Sequence, residues 1–156
     1  MWYNTSMNEY WDIVIISVII LIILIFLVGI IAHIRRQRKI PDDIDRMEGH
    51  DFEFFCAGLL KKRGFLEVEV TRGSGDYGID ILAEKDGVTY AIQCKCYSAP
   101  VGVGAVQEAY AGRDYYDRMV GVVLTNQYFT TPAVEAAKKL KILLWDRGYL
   151  ESMMEE

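Results

Sequence analysis

Hydrophobic positions follow two different patterns along the chain. Residues 13–32 (IVIISVIILIILIFLVGIIA) form an uncharged run in which only Ser17 and Gly29 depart from large apolar types or alanine. A helix of that length reaches about 30 Å, the hydrocarbon thickness of a bilayer. The run therefore predicts a transmembrane helix over residues 13–33. A buried core helix this long would carry a polar face. A signal peptide would open on basic residues, whereas residues 1–12 hold Glu9 and Asp12 and no Lys or Arg. The span is read as permanent, behind a short extracytoplasmic N-terminus. Trp2, Tyr3, Tyr10 and Trp11 stand where an aromatic belt would meet the head groups.

Beyond the run the periods shorten. Residues 34–47 read as a polar, basic juxtamembrane linker, with Pro41 discouraging helix before it. In residues 51–63 Phe52, Phe55, Cys56, Leu59 and Leu60 recur every three or four positions and predict a helix, capped by Gly64. Residues 65–71 (FLEVEVT) alternate as a strand. Residues 79–85 and 88–96 flank Asp86-Gly87, the dipeptide suited to a two-residue hairpin. Residues 103–117 predict a helix with Val106, Ala109, Tyr110 and Arg113 along one side, and the apolar run 119–125 predicts a strand covered on both faces. Thr131-Pro132 opens a helix to about residue 139, with Thr131 as N-cap. A strand over 142–146 and a short helix over 149–154 close the chain. This order, ending β-α-β-α-β, implies an α/β domain over residues 48–156 with a mixed sheet and helices on both faces.

Charge orients the chain. All 17 Lys and Arg residues follow the apolar run, starting with Arg35, Arg36, Arg38 and Lys39. The positive-inside rule places the N-terminus outside and the folded domain in the cytoplasm, giving a single-pass protein of the cell membrane held in the lipid bilayer by residues 13–33. Three cysteines, Cys56, Cys94 and Cys96, are an odd number in a reducing compartment, so packing is expected rather than disulfides. The loop Arg72-Gly73-Ser74-Gly75-Asp76-Tyr77-Gly78 lacks the Lys-Ser/Thr ending of a nucleotide-binding P-loop. His33 and His50 have no partner at metal-ligand spacing.

The hairpin carries the chemistry. Asp80 lies at the start of its first strand, and Gln93 and Lys95 lie two apart near the end of its second, hence on one face. The short turn sets that start beside that end, so an acid, an amide and a lysine converge. The plain alternative is an ion pair. Against it, Gln93 and Lys95 continue an otherwise apolar stretch, Tyr90-Ala91-Ile92, where unpaired polar groups are costly.

Gly-Asp-Tyr-Gly-Ile-Asp (75–80) followed by Gln-Cys-Lys (93–95) resembles the signature of Mrr-type restriction endonuclease domains, within the PD-(D/E)xK nuclease superfamily. Phe52-Glu53, Val101-Gly102-Val103, Val106-Gln107-Glu108, Leu124-Thr125-Asn126, Phe129-Thr130 and Leu144-Trp145-Asp146 extend the resemblance over nearly the whole domain. It implies a restriction-endonuclease-like three-layer α/β/α fold and Mg²⁺-dependent cleavage of DNA, with Mn²⁺ as a substitute metal. Asp80, Gln93 and the Cys94 backbone carbonyl would hold the metal, with Glu53 as an additional helix-borne acid. Lys95 would orient or deprotonate the attacking water and stabilise phosphate charge. Gln107 is a secondary candidate that either reaches the site or caps a polar edge of the sheet. Asp76 reads as a loop-stabilising residue.

One feature opposes a nuclease. Glu9 and Asp12 precede the run, so the 17 basic residues after it face 20 acidic ones, while DNA affinity rests on Lys and Arg contacts to phosphate. Lys61, Lys62 and Arg63, or Arg113 and Arg118, are the candidates for a local DNA-binding surface. Two other functions stay open: a catalytically inactive nucleic-acid- or protein-binding module at the membrane, and a structure-specific, junction-type nuclease. A homodimer is expected if both DNA strands are cut.

Overall fold

The computed structural model describes residues 4–37, 44–72, 75 and 77–155, and divides the chain into two compact units, residues 1–39 and 40–156. Residues 38–43 of the linker, with Arg38, Lys39 and Pro41, and Asp76 lie outside the described residues. So do Trp2 and Tyr3 of the aromatic belt.

The first unit is one helix, α1 (Asn4–Gln37), which contains a stretch, Trp11–Ile30, of mean hydropathy 3.7. It is long and apolar enough to cross a membrane. Its large apolar side chains, such as Phe26 and Ile25, are exposed, as a lipid-facing helix requires and a core helix does not.

The second unit is a five-stranded sheet in the order β1 (Leu66–Val70), β2 (Ile81–Lys85), β3 (Val88–Lys95), β4 (Val120–Thr125), β5 (Ile142–Trp145). The first two pairings are antiparallel and the last two parallel, so the sheet is mixed as the pattern predicts. Asp86 and Gly87 both take positive φ, 53° and 76°, and close the β2–β3 hairpin with Lys85 opposite Val88. Both signs match the turn that fits the twist of paired strands.

Helices cover both faces of the sheet. Phe52, Cys56 and Leu60 of α2 (Gly49–Lys62) and Leu150 and Met153 of α5 (Arg147–Met154) pack on Ile81, Ala83, Ile92, Cys94, Val122 and Leu124. On the other face Ala105, Val106 and Ala109 of α3 (Val103–Tyr115) and Ala133 and Ala137 of α4 (Thr131–Leu140) pack on Val123 and Ile142. The alternation along β3 and β4 sends neighbouring residues to opposite layers, and the architecture is the expected restriction-endonuclease-like α/β/α one.

Several element ends differ from the sequence reading: β2 starts at Ile81 rather than residue 79, α3 ends at Tyr115 rather than 117, and two helix caps are placed differently. The N-cap of α4 is Thr130, not Thr131. Thr130 is extended and its Oγ1 accepts from the Ala133 N–H at 3.4 Å, so Thr131 is already helical although it precedes Pro132. Asp146 does not end β5. Its carboxylate caps α5 by accepting from the Tyr149 N–H at 3.1 Å, which starts that helix at Arg147.

A 3-10 turn, Ile44–Arg46, is pinned to the end of β4. Asp45 accepts from Arg147 Nη1 at 2.8 Å and Nη2 at 3.0 Å, and from Asn126 Nδ2 at 2.9 Å. Asn126 is fully buried and also exchanges two bonds with the Tyr97 backbone. The Arg147 hydrogen bonds hold the Asp45 carboxyl below its ordinary value; partial burial opposes them, and Asn126 and the Arg147 charge add to them. A depressed folded pKa stabilises the fold above the unfolded value, about 3.9. That stabilisation is lost as pH falls through the lower folded value. Melting temperature measured against pH should therefore drop less steeply on the acid side for Asp45→Asn than for the wild-type chain.

Candidate active site

The hairpin and its neighbours build the site at the end of the sheet where β3 finishes and β2 begins. The Asp80 N–H donates to the Ile92 carbonyl and its own carbonyl accepts from the Thr71 N–H, both at 2.9 Å. Asp80 is thus held between β1 and β3, and the register that pairs Ile81 with Ile92 sets it opposite Gln93. Its Oδ2 accepts from the Cys94 N–H at 2.6 Å. The N–H and C=O of one strand residue point to the same edge, so the Cys94 carbonyl is directed to Asp80's side.

Gln93 and Lys95 face α3. Gln93 is 2% exposed; its Nε2 donates to Glu108 Oε2 at 2.5 Å, and its buried Oε1 has no hydrogen-bond partner among the described residues. Lys95 Nζ meets the same Glu108 oxygen at 3.0 Å. Burial pulls the Lys95 ammonium down. The Glu108 hydrogen bond and charge, with the fields of Tyr97 and Asp80, outweigh it and leave the pKa above its ordinary value. Burial pushes the Glu108 carboxyl up, but the bonds from Lys95 and Gln93 and the Lys95 charge bring it below the carboxylate range. Lys95 and Glu108 form an ion pair.

Glu53 comes from the opposite layer. It is on the first turns of α2, with 18% of its side chain exposed, and His50 Nδ1 lies 2.9 Å from its Oε2. The buried Cys94 thiol is pushed well up, first by its hydrogen bond with Cys56, then by burial, then by the charges of Cys56, Asp80 and Glu53.

The structure thus brings together Asp80, Gln93 and Lys95, while Glu53 lies on α2 in the layer across the sheet, paired with His50. It adds Glu108, which the sequence reading did not select. Gln107, the residue that it did consider on α3, is exposed, and the α3 side chain that reaches Gln93 and Lys95 is Glu108. A helical signal was present: Ala105, Glu108 and Gly112 share one face at three- and four-residue spacing, and Ala105 and Gly112 are both buried small residues. Small neighbours let that face approach the sheet closely.

The five basic residues considered for DNA binding lie toward the other end of the sheet from Lys95. Arg63 donates to the carbonyls of Ser152, Met153 and Glu155 at the end of α5, and its own carbonyl accepts from Lys85 Nζ beside the hairpin turn. Lys61 and Lys62 occupy the same end of α2. Arg113 pairs with Asp114 and reaches the Leu140 carbonyl at the end of α4, while Arg118 precedes β4. Val120, at the start of β4, lies beside Tyr90, five residues back along β3 from Lys95, or roughly 16 Å at strand rise. Sequence periodicity shows which residues share a helix face, and it does not show which end of the sheet that helix end meets.

Among the described residues no group of three His, Cys, Asp or Glu side chains is arranged to hold a metal ion. The oxygens that could hold one are of mixed type: the Asp80 carboxylate, the buried Gln93 carbonyl oxygen and the Cys94 backbone carbonyl. Hard divalent cations accept such neutral and anionic oxygens together.

A mixed sheet with a strand acid facing a Gln-x-Lys strand, covered by helices on both sides, makes this domain a restriction-endonuclease-like nuclease domain. The chain belongs to the Mrr_cat restriction endonuclease family, whose model matches residues 44–154. Among solved structures it is similar to a protein of unknown function, AF1548, with 26% identity and a TM-score of 0.56, covering 65% of this chain and 60% of that one. It shares its fold with the DNA modification-dependent restriction endonuclease AspBHI (19% identity, TM-score 0.52, 77% of this chain and 32% of that one). The same holds for the MspJI restriction endonuclease, solved in complex with a 27-mer oligonucleotide (17%, 0.51, 76% and 33%). This chain therefore spans about a third of each of these two enzymes and 60% of the first protein. A search of curated proteins gives no match.

Proposed function

We propose that the chain is a membrane-anchored, Mg²⁺-dependent DNA endonuclease of the Mrr, type IV restriction-like class, with Mn²⁺ able to replace Mg²⁺. One observation carries the reading: the Gln93 carbonyl oxygen is buried without a hydrogen-bond partner among the described residues, opposite Asp80 and two residues before a lysine paired with Glu108. A buried acceptor left unmade costs about 1–3 kcal/mol. A cation that binds it removes that penalty.

Asp80, Gln93 Oε1 and the Cys94 carbonyl would hold the metal, and Glu53 would steady it or its water shell from α2. Bound there, the metal would polarise the scissile phosphate and activate water. Lys95, paired with Glu108 and raised above its ordinary pKa, would meet the phosphate as a fixed positive charge and orient the attacking water. With the Lys61–Arg63 and Arg113/Arg118 groups near the hairpin turn, phosphate attraction would come from Lys95 and from the N-termini of α3 and α4. These helices return from the parallel strands and so begin at the site's end.

The apolar stretch Trp11–Ile30, with every Lys and Arg following it, supports a single-pass anchor in the cell membrane with the nuclease domain in the cytoplasm. Two copies would be needed to cut both strands together, which supports a homodimer.

The second reading, an inactive binding module, is favoured by the placement of those five cations. Nicking of supercoiled plasmid by the full chain in lipid nanodiscs separates the two. The nuclease reading expects nicked product with Mg²⁺ or Mn²⁺ and none with EDTA. DNA binding with no product under either metal would support the module. A four-way junction as a parallel substrate tests the junction-type alternative.

A further inference from the structure

We propose that Glu108 is a positioning residue of this site: it turns the Gln93 amide so that the carbonyl oxygen, rather than the amino group, is presented to a cation. The proposal rests on the nuclease reading above. A glutamine has two unlike ends, and only the oxygen can serve a metal. Glu108 Oε2, at 2.5 Å, accepts a hydrogen bond from Nε2. A flipped amide would set a carbonyl oxygen against a carboxylate oxygen at that distance, two acceptors with no proton between them. The carboxylate thereby selects one orientation, and the oxygen that results is the buried atom without a partner.

Two further observations point the same way. The same Glu108 oxygen holds Lys95 Nζ at 3.0 Å, so one carboxylate fixes both polar side chains of the Gln-x-Lys strand. The loop before Asp80 also closes on this pair. An ideal Cβ at Gly78 would lie 3.0 Å from Glu108 Cβ and 3.5 Å from Gln93 Nε2, and Gly78 has φ +77°, so glycine permits the approach. Glu108 further places a negative charge beside position 93, where the residue itself is neutral.

The test is a double-mutant cycle on metal binding, with Mn²⁺ affinity measured by calorimetry on the full chain in nanodiscs. Groups that orient metal ligands typically change affinity about 10–100-fold, so Glu108→Ala should weaken Mn²⁺ binding at least about ten-fold. Beside Gln93→Glu the same substitution should cost nothing, because a carboxylate presents an oxygen whichever way it turns, and it should even strengthen binding by relieving two adjacent negative charges. Glu108→Gln keeps the side chain's size and can still accept from Nε2; it should give a smaller loss beside Gln93 and none beside Gln93→Glu. It serves as the fold-preserving variant if Glu108→Ala melts early. Equal losses in both backgrounds would reduce Glu108 to a structural role and overturn the proposal. So would unchanged binding by Glu108→Ala when the wild-type chain binds Mn²⁺. A wild-type chain that binds no Mn²⁺ would overturn the nuclease reading itself, and this proposal with it.

Discussion

Lys95→Ala is expected to lower the plasmid-nicking rate constant about 10²–10³-fold, the usual loss when one fixed electrostatic donor is removed from a site that stabilises developing charge. The size follows from how firmly the ammonium is placed. Lys95 ends β3, its carbonyl accepts from Thr125 Oγ1 at 2.6 Å, and only 21% of its side chain is exposed. Glu108 holds the amino group and favours its charged form. The charge is therefore prepared before substrate arrives, and no reorganisation is needed at the moment of reaction. Mn²⁺ affinity should change little, since Lys95 offers no metal-ligating atom as an ammonium. Single-turnover nicking at saturating DNA, beside calorimetry, separates these effects; a nicking rate unchanged by Lys95→Ala would remove Lys95 from the site.

Gly112→Ala should be nearly as damaging to activity although residue 112 touches none of the three hairpin residues. Gly112 is buried on α3 where the helix crosses the segment leading into Asp80. A Cβ there would stand 2.3 Å from Ile79 Cγ1, 2.9 Å from Ile79 Cδ1 and 2.8 Å from the Tyr77 carbonyl oxygen. Ile79 is itself fully buried, and the third contact is backbone, so the strain cannot be relieved by one flexible tip. Something must move by up to about 1 Å to restore ordinary contact. A misplacement of that size can cost about 10²-fold in rate. Overpacking costs about 1–3 kcal/mol, partly offset by the helix preference for alanine over glycine, about 1 kcal/mol. The melting temperature should thus fall modestly while nicking falls steeply. A variant as active as wild type would show that the 77–80 segment is not held by α3.

The sequence made some of these features readable and left others hidden for physical reasons. Period-two alternation and Asp86-Gly87 were enough to register β2 against β3, and that register alone set Asp80 opposite Gln93. The Thr130 and Asp146 caps were misread by a residue or two because each lies beside another plausible capping or strand residue, and the choice depends on side-chain hydrogen bonds. Glu108 was hidden because a solvent-rim acid on a helix looks the same in sequence whether it faces water or a buried amide; here only 51% of its side chain is exposed. The placement of the lysine and arginine clusters was not legible, because the ends of α2 and α3 that carry them meet the hairpin turn, a consequence of chain direction in three dimensions. The tight passage at Gly112 has no signature beyond one glycine in a helix.

Asn126 illustrates the reverse case. Its place in the Leu124-Thr125-Asn126 block is part of the family resemblance, and in the structure it does no chemistry at the hairpin. It ties Tyr97, two residues beyond β3, to the 3-10 turn and Arg147. Resemblance located an important residue, and the hydrogen bonds supply its role: it anchors the chain where β3 leaves the site.

The central claim is that a divalent cation binds between Asp80, the Gln93 carbonyl oxygen and the Cys94 carbonyl. Anomalous diffraction from crystals of the full chain grown with Mn²⁺ tests it most directly. The account predicts an anomalous peak within coordination distance of Asp80 and Gln93 Oε1, with the Gln93 amino group still on Glu108. Well-ordered density with no peak there at millimolar Mn²⁺, or with Gln93 Oε1 bonded to a protein donor instead, would contradict it.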